Sequence, residues 1–179
     1  MSWLPRYFSS VLGLSWSQLG FAAVVPYVAK LLFSTCWSAV ADWLMAKEHM
    51  SRLAVRKLGM VICFAGPSFF LAIISAGGVG DIGGALACVT MAVGLNGASD
   101  SGFWANIIDV APRQSGEVMG ISNTFGTLPG IFGNVITGWV LQTTGSWSLV
   151  FGMVIVNYVF GLVVYLKWAS GNVLFDDNI

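Results

Sequence analysis

Long apolar runs separated by short polar or charged segments dominate the chain. Five of these runs are long enough to cross a bilayer, because a membrane-spanning helix needs about 20 apolar residues. Residues 1–12 are too few to span, and their aromatic side chains are typical of the outer end of a helix at the membrane interface. The pattern predicts an all-α membrane protein with a helix stub (1–12), five full spans (about 17–44, 58–76, 85–108, 116–141 and 148–168) and a short polar tail (169–179).

Prolines and glycines mark places where these helices could bend. Pro26 lies within the first span and Pro67 within the second, and each is a predicted kink. Pro129 stands beside Gly130 in the fourth span. We expect the helix to be weakened there, since transporters commonly break a helix where backbone groups meet a substrate.

Small residues recur at four-residue spacing in the fourth span, at Gly116 and Gly120 and again at Gly126 and Gly130. In lipid such spacing permits close contact between helices. Packing explains this pattern about as well as a functional role does.

The composition agrees with a membrane protein. The chain is 56% hydrophobic and only 9% charged, whereas soluble domains carry roughly 25% charged residues. Eight basic and eight acidic residues balance, so no basic surface for nucleic acid is predicted. The cysteines lie inside apolar runs without CxxC spacing and are interpreted as small buried hydrophobes rather than metal ligands; they are Cys36, Cys63 and Cys88.

The basic residues predict an orientation. Arg6 alone belongs to one side of the membrane, and Lys30 lies in mid-span. Cytoplasmic loops carry an excess of lysine and arginine. We therefore predict that the loop after the first span, the Asp109–Arg113 turn and the tail face the cytosol, together with the basic residues Lys47, Arg52, Arg56, Lys57, Arg113 and Lys167.

Polar side chains lie inside the apolar runs, mainly between Gly94 and Gly130. Such groups are costly in hydrocarbon and mark functional sites by default. Lys30 and Asp100 are the two ionisable groups deep within the predicted spans, and they could pair with each other, bind a substrate or exchange a proton. We predict a substrate cavity lined by Asn96, Asp100, Ser101, Asn106, Ser122, Asn123 and Lys30.

Charged residues near the cytosolic helix ends have two interpretations. Asp42 ends the first span, and arginines follow it in the loop. They could be ordinary helix-end charges that extend to the interface, or they could form ion pairs that break when a gate opens. The second interpretation predicts a cytosolic gate made of Asp42, Arg52, Arg56, Asp109 and Arg113.

Enzyme motifs find little support. Gly78, Gly80 and Gly83 have GxGxxG spacing, but they lie between two membrane spans rather than in a βαβ unit. Asp81 ends a Gly-Val-Gly-Asp sequence reminiscent of intramembrane aspartyl proteases, without that family's partner motif. His49 is the only histidine and lies in the basic loop, far from candidate serine nucleophiles. We predict no enzyme activity, no cofactor and no metal.

Four stretches carry a family resemblance: ADWLMAKEHMSRLAVRKL (41–58), FAGPSFF (64–70), GLNGASDSGFWANIIDVAPRQSGEVMGISNTFGTLPGI (94–131) and SWSLVFGM (146–153). They resemble the second half of the anion:cation symporters. This family of major facilitator transporters includes type I sodium–phosphate cotransporters, sialin, vesicular glutamate transporters and plant plastid phosphate transporters. WLPRYFSSVLG, near the amino terminus, is similar to the end of the family's seventh helix.

The resemblance implies that the five spans are helices eight to twelve, so that the chain is the carboxyl-terminal six-helix half of a major facilitator fold. It implies transport of phosphate or small organic anions, with Na⁺ or H⁺ as a coupling ion. The family's best-known arginine and histidine belong to the first half and have no counterpart here. Lys30, Asp100 and Ile107 depart from the family pattern, which leaves the anion open.

In this fold the substrate site lies at the membrane midplane between two halves. One half provides one wall, so the expected partners are the lipid bilayer, a small anionic substrate, and a missing amino-terminal half or a second copy. The chain is therefore interpreted as a fragment of a transporter in a plasma, vesicular or lysosomal, or plastid envelope membrane. The alternative is a non-transporting, membrane-embedded interaction subunit.

Overall fold

The computed structural model describes residues 4–10 and 16–174, and the secondary structure it describes is entirely helical. This confirms the predicted all-α class. The remaining residues of the predicted stub and tail (1–3, 11–12 and 175–179) lie outside the described residues. The helices are α1 (Leu4–Ser10), α2 (Trp16–Ala46), α3 (Arg52–Ser75), α4 (Ile82–Leu95), α5 (Ala105–Val110), α6 (Ser115–Thr144) and α7 (Trp147–Trp168).

Four stretches of the described chain are helical, long and apolar enough to cross a membrane: Ala22–Ala46, Arg52–Ser75, Ile82–Val110 and Trp147–Trp168. They make the chain a multi-pass membrane protein. The remaining predicted span forms α6, which has sufficient length at 30 residues. It is not among the four, because serine, threonine, asparagine and glutamine are frequent in it.

Side-chain caps fix where several helices begin. Ser51 accepts a hydrogen bond from the Ala54 N–H at the start of α3, and Asp81 accepts one from Gly84 at the start of α4. Ser146 does the same for α7. Such caps satisfy backbone donors that have no partner within the helix. Gly145 ends α6 with a φ of 63°, a left-handed conformation that glycine adopts without steric penalty.

The structure breaks a helix at a different place from the one predicted. The helices α2, α3 and α6 run without interruption through Pro26, Pro67 and Pro129. The weakening expected at Pro129 does not interrupt α6. The irregular backbone lies between α4 and α5 instead, where a 3₁₀ turn (Asn96–Ser99) is followed by a π turn (Asp100–Trp104). We call these residues the broken segment (96–104).

The broken segment is packed tightly between α2 and α3 by glycines. A Cβ atom on Gly97 would lie 2.8 Å from the Lys30 carbonyl oxygen, and one on Gly102 would lie 2.8 Å from the Met60 sulfur. A Cβ on Gly59 would lie 3.1 Å from the Ala98 carbonyl oxygen. These distances leave almost no room for a side chain, so the close approach of the three helices requires glycine.

The helix α3 is tied to α7 at both ends. Lys57 Nζ donates to the Leu166 carbonyl oxygen at 2.8 Å, at the end where the basic residues collect. At the opposite end Ser75 Oγ donates to the Ser148 carbonyl oxygen at 3.2 Å, and Ser148 Oγ donates to the Ser75 carbonyl oxygen at 3.0 Å. We call the first end the basic end and the second the far end.

An apolar cluster fills the far end. Tyr7 of α1 packs edge-on against Phe151 and Trp147 of α7, with ring centroids 5.1 and 5.2 Å apart. Val89 of α4 is 1% exposed within the same cluster. The short helix α1 therefore packs on the far-end cluster, and its aromatic side chains Tyr7 and Phe8 are buried there.

In contrast, α6 is almost unpacked. Val140 is its only buried residue. Its large apolar side chains lie on the surface, with Phe125 68% and Val135 67% exposed. A cavity of about 300 Å³ separates Pro129, Gly130 and neighbouring α6 residues from the far-end cluster.

Candidate functional site

A polar group lies where the broken segment meets α2. Ser34 Oγ of α2 donates a short hydrogen bond to the Asp100 carboxylate. Asp100 is exposed although it belongs to a stretch apolar enough to span the membrane. Lys30 precedes Ser34 by one helical turn, and its backbone lies against Gly97. The structure therefore collects Lys30, Ser34 and Asp100 on one surface of the bundle.

Ser34 was not predicted as a site residue. Its position four residues after Lys30 places it on the same face of α2. The four-residue spacing from Lys30 could have predicted Ser34 as a site residue, but only if Lys30 itself was first taken as functional. Lys30 itself is half-buried, and the described residues show no ion pair between it and Asp100.

Asn96 and Ser101 turn toward α3. The Asn96 amide nitrogen donates to Cys63 Sγ at 3.4 Å, and the Cys63 thiol donates back to the Asn96 carbonyl oxygen at 3.6 Å. Ser101 is 7% exposed, with its hydroxyl 3.5 Å from the Ala98 carbonyl oxygen. Both residues thus stabilise the broken segment, and Asn96 also lines a cavity of about 410 Å³ between α3, the broken segment and α7.

Among the predicted gate residues, Arg52 and Arg56 both pair with Asp109. Arg56 Nε donates to Asp109 Oδ2 at 2.7 Å, and Arg56 Nη2 lies 3.4 Å from Asp109 Oδ1. Arg52 Nη1 lies 3.5 Å from the same carboxylate. Asp42 is exposed and forms no ion pair with either arginine in the described structure. In this conformation the arginines pair with Asp109 rather than with Asp42, because the fold brings the end of α5 to α3.

The Arg56–Asp109 pair is buried. Its side chains are 10% and 9% exposed, and Arg56 Nη1 also donates to the Ser101 carbonyl oxygen at 2.9 Å. One guanidinium thus ties α3 to α5 and to the broken segment. Arg52, with 67% of its side chain exposed, contributes little by comparison, because solvent weakens exposed ion pairs. Arg113 is exposed in the turn that follows.

Asn106 lies at the basic end rather than beside Asp100. It is 8% exposed, and its side-chain amide donates to the Ser170 carbonyl oxygen at 2.9 Å. On α6, Ser122 is half-buried and Asn123 is exposed. Neither makes a hydrogen bond with Asp100 or Lys30 in the described part of the chain. The seven predicted cavity residues therefore do not form a single group within this chain.

Across residues 4–10 and 16–174 the structure shows no group of three or more metal-ligating side chains. The cysteines carry no disulfide: Cys63 is buried, Cys88 is half-buried and Cys36 is exposed.

No protein-family model matches the chain. The chain is 34% identical over 176 residues to the chloroplastic ascorbate transporter of Arabidopsis thaliana. The matched region covers 98% of this chain and 32% of that protein. It is 36% identical over 173 residues to human sialin, covering 95% of this chain and 34% of sialin. The chloroplastic sodium-dependent phosphate transport protein 1 of Arabidopsis thaliana is 32% identical over 176 residues. The matched region covers 98% of this chain and 34% of that protein.

The chain is a homologue of plastid anion transporters and sialin. The resemblance to the anion:cation symporters is thereby confirmed. The two chloroplastic relatives are named for transport and not for an enzyme activity, which agrees with the prediction that the chain is not an enzyme. The chain spans about a third of the length of the curated relatives it matches.

Proposed function

We propose that the chain forms one half of a secondary active transporter that moves phosphate or a small organic anion by alternating access. The observation that carries the proposal is the polar group beside the broken segment, in which the exposed Asp100 accepts a hydrogen bond from the half-buried Ser34 and the half-buried Lys30 lies one helical turn before Ser34. Ionisable side chains within spans belong to substrate or ion paths. Short π turns inside α-helices are frequently found at functional sites.

The chemistry of this group suits an anion and a coupling cation. The Lys30 ammonium attracts an anionic substrate, whereas a charged Asp100 repels it. Binding H⁺ or Na⁺ at the carboxylate, beside the Ser34 hydroxyl, removes that repulsion. The substrate and the coupling ion therefore favour each other, as symport requires.

A second body is needed to complete the cavity. Asp100 is exposed on the surface of this half, and α6 leaves an apolar face without a partner in the described chain. Relatives about three times as long contain additional chain that could cover both. We propose that an amino-terminal half, or a second copy of this chain, packs on α6 and α2 and encloses the anion.

The basic end supplies the gate in this scheme. The buried Arg56–Asp109 pair, with Arg52 beside it and Arg113 in the next turn, closes the path on the proposed cytosolic side. Opening requires the carboxylate to leave the guanidinium or the whole pair to move as a unit.

Anion uptake into proteoliposomes tests the proposal, with this chain co-expressed with the first half of a relative. Asp100→Asn removes the carboxylate that binds the coupling ion, and interactions with a charged group contribute about 1.5–3 kcal/mol, so uptake driven by an ion gradient should fall by about tenfold or more. Asn123→Ala should lower it less. Asn157→Leu, which removes an exposed amide from α7, is the matched control. Uptake that is equal in the Asp100→Asn and control proteins would remove Asp100 from the site.

One observation favours the alternative, a non-transporting interaction subunit. In α6 a built Cβ meets nothing within 4 Å at Gly116, Gly120, Gly126, Gly130 and Gly133, as expected of a helix face that accepts another helix. Suppose that crosslinking through α6 captures one defined membrane partner, and that co-expression with a first half never produces anion uptake. The interaction-subunit hypothesis would then replace the transporter hypothesis.

A further inference from the structure

The segment that follows α7 crosses the basic end and binds α5 at two points. The Leu174 N–H donates to the Val110 carbonyl oxygen at 2.9 Å, and the Asn106 amide donates to the Ser170 carbonyl oxygen at 2.9 Å. We call this segment (169–174) the clasp. Asn106 and Val110 are one helical turn apart, and Asp109 of the gate lies between them in sequence.

Each contact satisfies a group that would otherwise lack a partner. Val110 is the last residue of α5, and carbonyl groups in a final turn have no intrahelical donor. The Leu174 N–H fills that vacancy. Asn106 is 8% exposed, and a buried amide without a partner is strongly unfavourable. The clasp therefore stabilises the end of α5 specifically.

The clasp is itself held in place. Lys57 Nζ donates to the Leu166 carbonyl oxygen in the last turn of α7, just before the clasp begins. A Cβ on Gly171 would lie 3.0 Å from Leu53 Cβ, so the clasp backbone lies directly against α3. The Asn172 N–H donates to Ser170 Oγ at 3.1 Å and fixes the local turn. The segment thus connects α7, α3 and α5.

We infer that the clasp positions the gate: by holding α5 at Asn106 and Val110, it keeps Asp109 where Arg56 reaches it. This inference rests on the gate described under the proposed function. Asn106 and Leu174 are positioning residues, since neither touches Asp109 in the hydrogen bonds of the described structure. Release of the clasp frees the end of α5 and opens the basic end.

Cysteine labelling tests the inference in the whole chain without measuring transport. In a background without Cys36, Cys63 and Cys88, Ala111→Cys places a thiol immediately after α5, at a position with 0% exposure. A membrane-impermeant maleimide is applied to the basic end. Leu174→Pro removes the N–H donor, whereas the control Leu174→Ala keeps it.

We expect Leu174→Pro to raise the labelling rate at position 111 on the order of fivefold, the effect of losing one hydrogen bond. Asn106→Leu should raise it similarly, and Asn157→Leu should not. A second reporter, Val89→Cys in the far-end cluster, should label equally slowly in every variant. Equal rates at position 111 in the proline and alanine variants overturn the inference, as does faster labelling at position 89, because that result indicates general loosening. Labelling needs no uptake, so this outcome is separable from failure of the proposed transport.

Discussion

The broken segment and α6 are both rich in small and polar residues, yet the first is tightly packed against neighbouring helices and the second is not. Gly97 and Gly102 lie so close to neighbouring helices that no side chain fits, whereas Gly126 and Gly130 have open space around them. The spacing of glycines along a helix therefore does not reveal whether they are used for packing within the chain. It reveals only that a close partner could be accepted.

The same contrast separates two kinds of interaction surface. The broken segment is connected to α3 by the hydrogen bond from the buried Arg56 guanidinium to the Ser101 carbonyl oxygen and to α2 through Ser34. The α6 face has apolar side chains and no such connections between its ends. The broken segment is packed within this chain, whereas the apolar face of α6 has no partner among the described residues.

Removing the buried arginine should weaken the packed region most. Arg56→Leu leaves the Asp109 carboxylate, 9% exposed, with only the more distant Arg52. Breaking a buried pair from one side costs roughly 3–5 kcal/mol, so we expect a loss of about 3 kcal/mol in the free energy of unfolding in detergent micelles. Arg52→Leu is the control and should change it by about 0–1 kcal/mol. Similar losses for both arginines would contradict the asymmetry.

Adding one methyl group should have the next largest effect. In Gly97→Ala the new Cβ would lie 2.8 Å from the Lys30 carbonyl oxygen, which belongs to backbone and cannot easily move. Overpacking of this kind costs about 1–3 kcal/mol. Denaturant unfolding of the isolated chain measures the change. An unaltered midpoint would show that α2 and the broken segment are not in close contact.

The corresponding glycine-to-alanine change in α6 should hardly alter the stability of the isolated chain. Gly126→Ala meets no atom within 4 Å, and alanine is favoured over glycine within a helix by up to about 1 kcal/mol. The isolated chain should therefore be unchanged or slightly more stable. When a partner half is co-expressed, the same substitution should reduce the yield of the complex, and co-purification measures it. If assembly is unaffected, this glycine does not lie in the interface.

The sequence was sufficient for the features that depend on local pattern. Apolar runs predict the helices, and the structure places α2 over the first predicted span and α7 over the last. The basic residues Arg56, Lys57 and Arg113 were predicted to share one side of the membrane. Lys57 reaches the end of α7, and Arg56 reaches the end of α5, so these helix ends do meet at one side of the bundle.

The sequence was insufficient where partners come from different helices. The sequence offered Asp42 as a partner for the loop arginines because they are near in sequence, but tertiary packing presents Asp109 instead. Pro129 was expected to weaken its helix, yet the irregular backbone lies at residues 96–104, where the guanidinium of Arg56 binds the Ser101 carbonyl oxygen. No local sequence pattern predicts that contact.

The paired attachments of α3 to α7 have a mechanical consequence. The reciprocal serine bonds at Ser75 and Ser148 and the lysine bond from Lys57 to Leu166 join two long helices near both of their tips. Because α3 and α7 are hydrogen-bonded near both ends, they resist sliding or separating and should move together as a rigid pair. A spectroscopic label on the outer tip of α7 should therefore report displacements that originate at the opposite membrane surface, about 30 Å away.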